Sequence, residues 1–445
     1  MRPNILLIVV DSVPYDSFGY AGERDTTPNI DELAGEGATF TNAFAAGTWT
    51  PASHAPLFAG KLASETDSLS PSPELNAGTT LAAELQKEGY ETLGVSTATH
   101  ITRDAGYAQG FDAYIQVHPD FSRYSLDPTM MLDTLLNRIW GRRDRTLYQT
   151  HRIKNKIEAA ERPFFLFANI QNAHRPYRPP FWLRRRFEEG GGDREKVTRL
   201  MDMSGQEIGD EYLDGDLELT EEEWRMMRSW HRAELYRSDF YIGRIIQQLK
   251  QMGEYENTVI IVTSDHGDEF GEHGGFAHGY MYDTNIHVPL VIAGPGVPSA
   301  EYDGLVSHMD VAPTLLSLAE IDVPEVMDGT PILPLNEFRR DYIIAERGGS
   351  EPIGDSLIRR KKSCAAVAVR TERYKLIRRY GMENELYDIE SDTGETQNII
   401  DSHPDIAENL ASKSSALTVD GRQDEEEYAD ADAETKQRLK ELGYL

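Results

Sequence analysis

Five short apolar runs constrain this chain more than any other feature: "NILLIVV" (4–10), "ETLGVST" (91–97), "PFFLFANI" (163–170), "NTVIIVTS" (257–264) and "VPLVIAG" (288–294). They read as buried parallel strands. Helical patterns lie between and after them: "TPNIDELAGEG" with Pro28 near its first turn, "TTLAAELQKEG" closed by Gly89, a long amphipathic stretch from about 221 to 252, and "DVAPTLLSLAE". This alternation predicts an α/β fold, a doubly wound sheet flanked by helices. In such sheets ligands sit beyond the carboxyl ends of the strands.

Polar residues cluster in sequence where those ends fall. Asp11 follows the first run, His174 the third, and Asp265 and His266 the fourth, while His278 stands in "GGFAHGY" beyond a glycine-rich turn. Two carboxylates and an imidazole suit a divalent cation. Singly, each has a plainer explanation as a helix cap or a packed histidine. Their joint placement at several strand ends favours a site.

The 445 residues accommodate one large domain and a smaller one. Texture changes near residue 346, where "CAAVAVRTERYKLIRR" and "NELYDIES" alternate like antiparallel strands, before an acidic run "DEEEYADADAE" and a terminal helix "TKQRLKELGYL". The expected division is a catalytic domain over 1–345 and a C-terminal α+β subdomain over 346–445. The charged, glycine-rich segment 184–222 reads as an insertion or lid.

Acidic residues outnumber basic ones 75 to 45, a formal net charge of −30, which disfavours nucleic acid and anionic membranes as partners. With arginine in excess over lysine, this acidity suits a halophile's solvated coat. Cys364 is the only cysteine, so there is no intrachain disulfide and no cysteine metal cage. "MRPNILLIVVDS" runs straight into an aspartate and reads as a strand rather than a signal peptide. No apolar stretch reaches the ~20 residues of a membrane span. A soluble, cytoplasmic protein is expected. The basic run 137–156 and "RRR" (184–186) read as solvated helix faces more readily than as a site for an anionic polymer or glycan.

Further matches appear in order along nearly the whole chain: "RPNILLIVVDS", "TTPNIDELAGEGATFTNAFA", "TPASHAPLFAG", "NAHRPYRPP", "TSDHGDEFGEHG", "VPLVIAGPGV", "HMDVAPTLLSLA" and "RTERYKLIRRYGMENELYDIESDTGE". With these the chain resembles the sulfatase family of the alkaline phosphatase superfamily, in a haloarchaeal type. The resemblance implies a mixed, doubly wound sheet and a smaller C-terminal subdomain. It implies one divalent metal ion, Ca2+, Mn2+ or Zn2+, bound by Asp11, Asp265 and His266 together with Thr50, which is also the nucleophile. It puts His174 and His278 near the transferred group or the leaving oxygen, with His278 where many sulfatases have a lysine. Ser12 stands where many relatives have a further metal-binding aspartate.

One departure changes the expected chemistry. Sulfatases oxidise a Cys or Ser to formylglycine in a C/S-x-P/A-x-R motif, and the aligned residues here are Thr50, Pro51, Ala52, Ser53 and His54. Oxidising the threonine carbon would give a ketone, so no formylglycine is expected. A formylglycine hydrate expels sulfate by collapsing to the aldehyde. A threonyl ester has no such exit and must be hydrolysed at sulfur or phosphorus, which leans towards phosphoryl transfer. The stretch 47–60 contains no acidic residue, as an anion site at a helix start requires. His54 is placed one turn on, to bind the anion or hold the threonine oxygen. A plain Thr N-cap before proline is the simpler alternative. The expected activity is hydrolysis of an anionic sulfate or phosphate ester, on a sulfated or phosphorylated sugar for example. A transferase acting on a sugar hydroxyl and a catalytically degraded binding protein are the rival readings.

Overall fold

The computed structural model describes residues 2–414 apart from 23–24, 71, 118–127, 141–144, 162, 190 and 350–351. The acidic run at 424–434, the helix expected at 435–445 and part of the basic run lie outside the described residues.

The main sheet has eight strands: β1 (Asn4–Val10), β2 (Ala38–Phe40), β3 (Glu91–Ser96), β4 (Ala113–Gln116), β5 (Phe164–Ile170), β6 (Thr258–Ser264), β7 (Leu290–Ala293) and β8 (Ala300–Tyr302). Their order is β8-β2-β7-β6-β1-β5-β3-β4. β1 is central and shows why the runs are continuously apolar. Ile5, Leu7 and Val9 enter one hydrophobic core with Phe165, Phe167 and Ile261, while Leu6, Ile8 and Val10 enter another on the opposite face with Leu166, Ala168 and Val262.

The expected helices form at Pro28–Glu36, Leu81–Lys87, Glu221–Met252 and Val311–Leu318. The longest begins in a Thr220–Glu223 capping box and ends at Gly253 in the left-handed conformation, with φ 72°.

One expected strand runs the other way. β7 pairs antiparallel with both β6 and β2, so 288–294 is not a parallel strand. An apolar run has the same appearance in either direction; the connection decides. Residues 265–289 contain no crossover long enough to return the chain to the amino end of the sheet, so β7 re-enters at the carboxyl end.

The segment 184–222 is largely helical, at Arg194–Asp202 and Ile208–Leu213 for example. Val197, Leu200 and Met201 bury themselves with Trp224 and Trp230 of the long helix. Their helical spacing was hidden among charges.

The C-terminal region holds an antiparallel sheet of Ile343–Arg347, Ala366–Arg370, Tyr374–Arg379 and Glu385–Asp388. Its first strand thus begins before residue 346. Ile343, Ala345, Ala368 and Ile377 share a core with Phe44, Tyr280, Tyr282 and Ile286, which ties this sheet to the segment just after His278. Among the described residues no helix is long and apolar enough to cross a membrane.

Candidate active site

Strand register assembles the centre of the site. Val10 lies opposite Ile170 of β5 and Ser264 of β6, so Asp11, Gln171 and Asp265 leave the sheet side by side. The Asp11 amide donates to the Ile170 carbonyl (2.9 Å), and Asp11 Oδ2 accepts from Gln171 Nε2 (3.1 Å). Ser12 then adopts φ 63°, a left-handed turn uncommon for a residue with a side chain. In that turn its amide donates to Asp265 Oδ1 (3.1 Å) and its hydroxyl to Asp11 Oδ1 (3.1 Å). Ser12 links the two carboxylates by hydrogen bonds.

Asp265 Oδ1 also accepts the His266 amide (2.9 Å). Its Oδ2 is buried without a hydrogen-bond partner, 3.5 Å from His266 Nε2 and 3.7 Å from His54 Nδ1. His266 Nδ1 faces the Gly267 carbonyl (3.1 Å), which sets its proton there and directs the Nε2 lone pair inward. Nε2 is likewise buried and unpartnered, 3.9 Å from Asp11 Oδ1. One ligand atom from each of Asp11, Asp265 and His266 lies within 4.8 Å of the others. Burial and the Asp11 carboxylate push Asp265 above the usual carboxylate range. Orphaned buried donors and crowded negative charge are what a divalent cation would satisfy, and the oxygen and imidazole donors fit Ca2+, Mn2+ or Zn2+.

A fully buried helix, Thr50–Ala59, abuts this centre. Its N-cap is Trp49 in extended conformation, with no side-chain cap. Thr50 is therefore the first helical residue, not the cap of the simpler reading. Pro51 follows it, and no acidic residue occupies the first turn. The hydroxyls of Thr48 and Ser53 are buried there without partners. An uncapped, buried helix start presents amide donors and the positive dipole end to an anion.

His54 connects this helix to the carboxylates. Its Nδ1 hydrogen-bonds the Thr50 carbonyl oxygen (2.8 Å), so it holds the backbone of Thr50. Burial pushes it down, to about 4, and its ring packs edge-on against Phe58 and Phe167. It is a neutral group where the sulfatase motif has a permanent cation.

His174 and His278 lie together on another side, with ring centroids 5.4 Å apart, and His278 is 4.5 Å from His266 by the same measure. His174 Nδ1 donates to the Arg175 carbonyl (2.6 Å). His278 Nδ1 meets Asp268 Oδ1 (3.1 Å), and Tyr177 donates its hydroxyl to Asp268 Oδ2 (2.7 Å). Despite burial, the bond to His278 holds Asp268 down, to about 2. His278 is pushed down to about 3, by burial first and then by His266.

The structure thus brings Asp11, Asp265, His266, His54, His174 and His278 into one connected group, with Thr50 at the adjoining helix start. Sequence reasoning missed Gln171, Asp268, Tyr177 and His308. Asp268 had a signal, two residues after His266. His308 is buried with Nδ1 unpartnered and Nε2 3.4 Å from Thr263 Oγ1, and burial and His54 push it down to about 3.

Comparison with known proteins supplies independent findings. A family model described as Sulfatase matches residues 3–321. An arylsulfatase of Clostridium perfringens (strain 13 / Type A) is 25% identical over 453 residues, covering 90% of this chain and 91% of that protein. The phosphonate monoester hydrolase of Agrobacterium radiobacter superposes with a TM-score of 0.75 at 22% identity, covering 93% of this chain and 94% of that one. A protein solved in complex with its substrate D-glucosamine-2-N,6-O-disulfate gives a TM-score of 0.70 at 22% identity, covering 98% and 100%.

Proposed function

Because the chain belongs to the sulfatase family, we propose that it is a metal-dependent hydrolase of sulfate or phosphate esters, with Thr50 as nucleophile and phosphate esters the better substrates. The observation that carries this reading is the uncapped, buried start of the Thr50 helix beside carboxylate and imidazole atoms that lack partners.

Asp11, Asp265 and His266 would hold the cation. Bound there, a divalent ion supplies Lewis acidity and lowers the pKa of an oxygen it touches. The amides at the Thr50 helix start bind the non-bridging oxygens of the ester. The Thr50 hydroxyl oxygen attacks phosphorus in line; a bond from Oγ1 to phosphorus forms and the bond to the leaving oxygen breaks. A histidine of the His174–His278 pair takes the Thr50 hydroxyl proton on its Nε2 and passes it to the leaving oxygen, so the proton balances. Asp268, fixed by Tyr177, orients the His278 ring. Water then attacks phosphorus and the Oγ1 bond breaks, restoring the hydroxyl. His54, neutral and bonded to the Thr50 carbonyl, keeps the helix start in register.

Threonine favours phosphorus because a threonyl sulfate lacks the aldehyde exit that formylglycine provides. A sulfated or phosphorylated sugar is the substrate class that fits the family, and the acidic surface fits work at high salt. The deciding experiment compares an aryl sulfate, a phosphate monoester and a phosphodiester, with and without EDTA, in molar salt. Phosphate esters are turned over faster, EDTA stops turnover, and quenched enzyme carries a phosphoryl group on the Thr50 peptide. Sulfate turnover exceeding all phosphate rates would overturn the preference; undiminished turnover by Thr50→Ala would overturn the nucleophile.

A further inference from the structure

The small C-terminal sheet and the helix Leu357–Ser363 bring two cations to the loop that carries His278. Lys362 Nζ donates to the Phe276 carbonyl (2.8 Å) and Arg347 Nη1 to the Gly279 carbonyl (2.6 Å), so the two contacts bracket His278 in the chain. Gly279 has φ 107°, and a Cβ there would stand 2.5 Å from Arg347 Nη1 and 3.6 Å from Lys362 Cε. Glycine is what allows Arg347 to approach this closely, and the positive φ favours it too.

Neither cation has an ion-pair partner among the described residues; Asp268 and Glu269 act on Lys362 only from longer range. Among the described residues no carboxylate lies within ion-pair distance of Arg347 or Lys362, and Arg347 Nε is buried without a partner. Both stand beside the site without an acidic partner, in a chain where acids outnumber bases 75 to 45. Four cations of the same region are paired: Lys375 with Asp283 and Glu395, Arg370 with Asp283, and Arg379 and Lys361 with Glu385. Burial and Arg347 push Lys362 down, to about 7, so holding it charged costs free energy that a nearby anion would offset. Clamping two carbonyls does not require charge; a neutral amide donor would do it.

We propose that Arg347 and Lys362 form an anion subsite beside His278, and that the leaving group of the preferred substrate carries a second anionic group, a sulfate, phosphate or carboxylate. The proposal rests on the hydrolase reading above. It concerns the part of the substrate that departs, not the group transferred to Thr50.

The test uses the full-length enzyme at fixed salt, with Lys362→Gln, Arg347→Gln and Lys362→Arg. The glutamine variants remove the charge and keep an amide donor, one atom shorter than Lys362 and two shorter than Arg347, so any loss of loop clamping falls equally on both members of each substrate pair. Substrates are paired: a phenyl ester against its carboxyphenyl and sulfophenyl counterparts, each as sulfate and phosphate. The wild type favours the doubly anionic members in kcat/KM. Each glutamine variant lowers that preference about tenfold, the size of one charge-assisted contact, through KM rather than kcat. Lys362→Arg retains it. The carboxylate and sulfonate arms show which anion fits better. Calorimetric binding of carboxyphenol and sulfophenol follows the same order and needs no turnover. No preference in the wild type, or equal losses on both members of each pair, would overturn the subsite and leave a loop clamp. Absence of all turnover would instead defeat the hydrolase reading, while calorimetry still decides the subsite.

Discussion

Lys375→Met removes the centre of a buried charge cluster that secures the reactive loop to the small sheet. Lys375 is fully buried; its Nζ donates to Asp283 Oδ1 (2.8 Å) and sits 2.7 Å from Glu395 Oε1. Arg370 Nε reaches Asp283 Oδ2 at 3.1 Å, so two cations face two carboxylates. The methionine variant leaves two carboxylates against one guanidinium. Breaking a buried pair from one side costs about 3–5 kcal/mol. Part of that can be relieved by protonation, because burial already pushes Glu395 up, to about 7, with Asp283 adding to the effect. With its folded pKa above the ordinary 4.5, Glu395's contribution is fully present below that value and is lost as pH rises through about 7. Losing the ammonium raises Glu395 further, so the variant's deficit is smallest near pH 5.5 and widens towards pH 8, by roughly 1.4 kcal/mol for each added pKa unit. Urea unfolding of both proteins across that range, at constant high salt, measures it. A deficit below about 1 kcal/mol at pH 8, or one flat with pH, would refute the reasoning that the cluster is a coupled buried network.

Four further outcomes follow from the site and the surface. Thr50→Ala abolishes turnover while metal binding, read by equilibrium dialysis, largely persists; Thr50→Ser keeps some phosphoesterase activity. Asp265→Asn lowers crowded negative charge in the metal-free protein, so its melting temperature without metal rises above that of the wild type. The same variant loses the stabilisation that added Mn2+ or Ca2+ confers on the wild type, which a thermal-shift titration reads. Screening of the −30 charge makes stability rise from low to molar salt, as melting curves would show.

The metal centre was legible because a strand buried on both faces must end where polarity begins. Asp11 and Asp265 mark that break in "IVVDS" and "VTSDHG", and parallel register then sets them abreast. β2, β4 and β8 were not legible: three or four residues carry no period to distinguish a strand from a loop. The direction of β7 depends on its connection rather than on its own residues. Asp268 and Tyr177 act through side chains that meet across 91 positions of sequence, a proximity no local pattern encodes. Arg347 and Lys362 were invisible for the same reason, and because an unpaired cation is defined by what fails to stand near it.

The antiparallel entry of β7 has a consequence for how the site could be rebuilt. The polypeptide leaves the sheet after Ser264 and rejoins it at Leu290 from the same end, so everything between forms a closed excursion on one rim. That excursion carries His266, Asp268 and His278, yet contributes no strand to the main sheet. The pairing of the eight-stranded frame sets no length for it; its anchor is the small sheet, through Asp283 with Lys375 and the core shared by Tyr280, Tyr282 and Ile286. The site is thus divided between this excursion and residues outside it, Asp11, Thr50, His54 and His174. A chimera carrying a donor's version of 267–287 would exchange the Asp268–His278 pair while keeping the nucleophile and metal ligands, provided it retains the partner of Lys375 at 283.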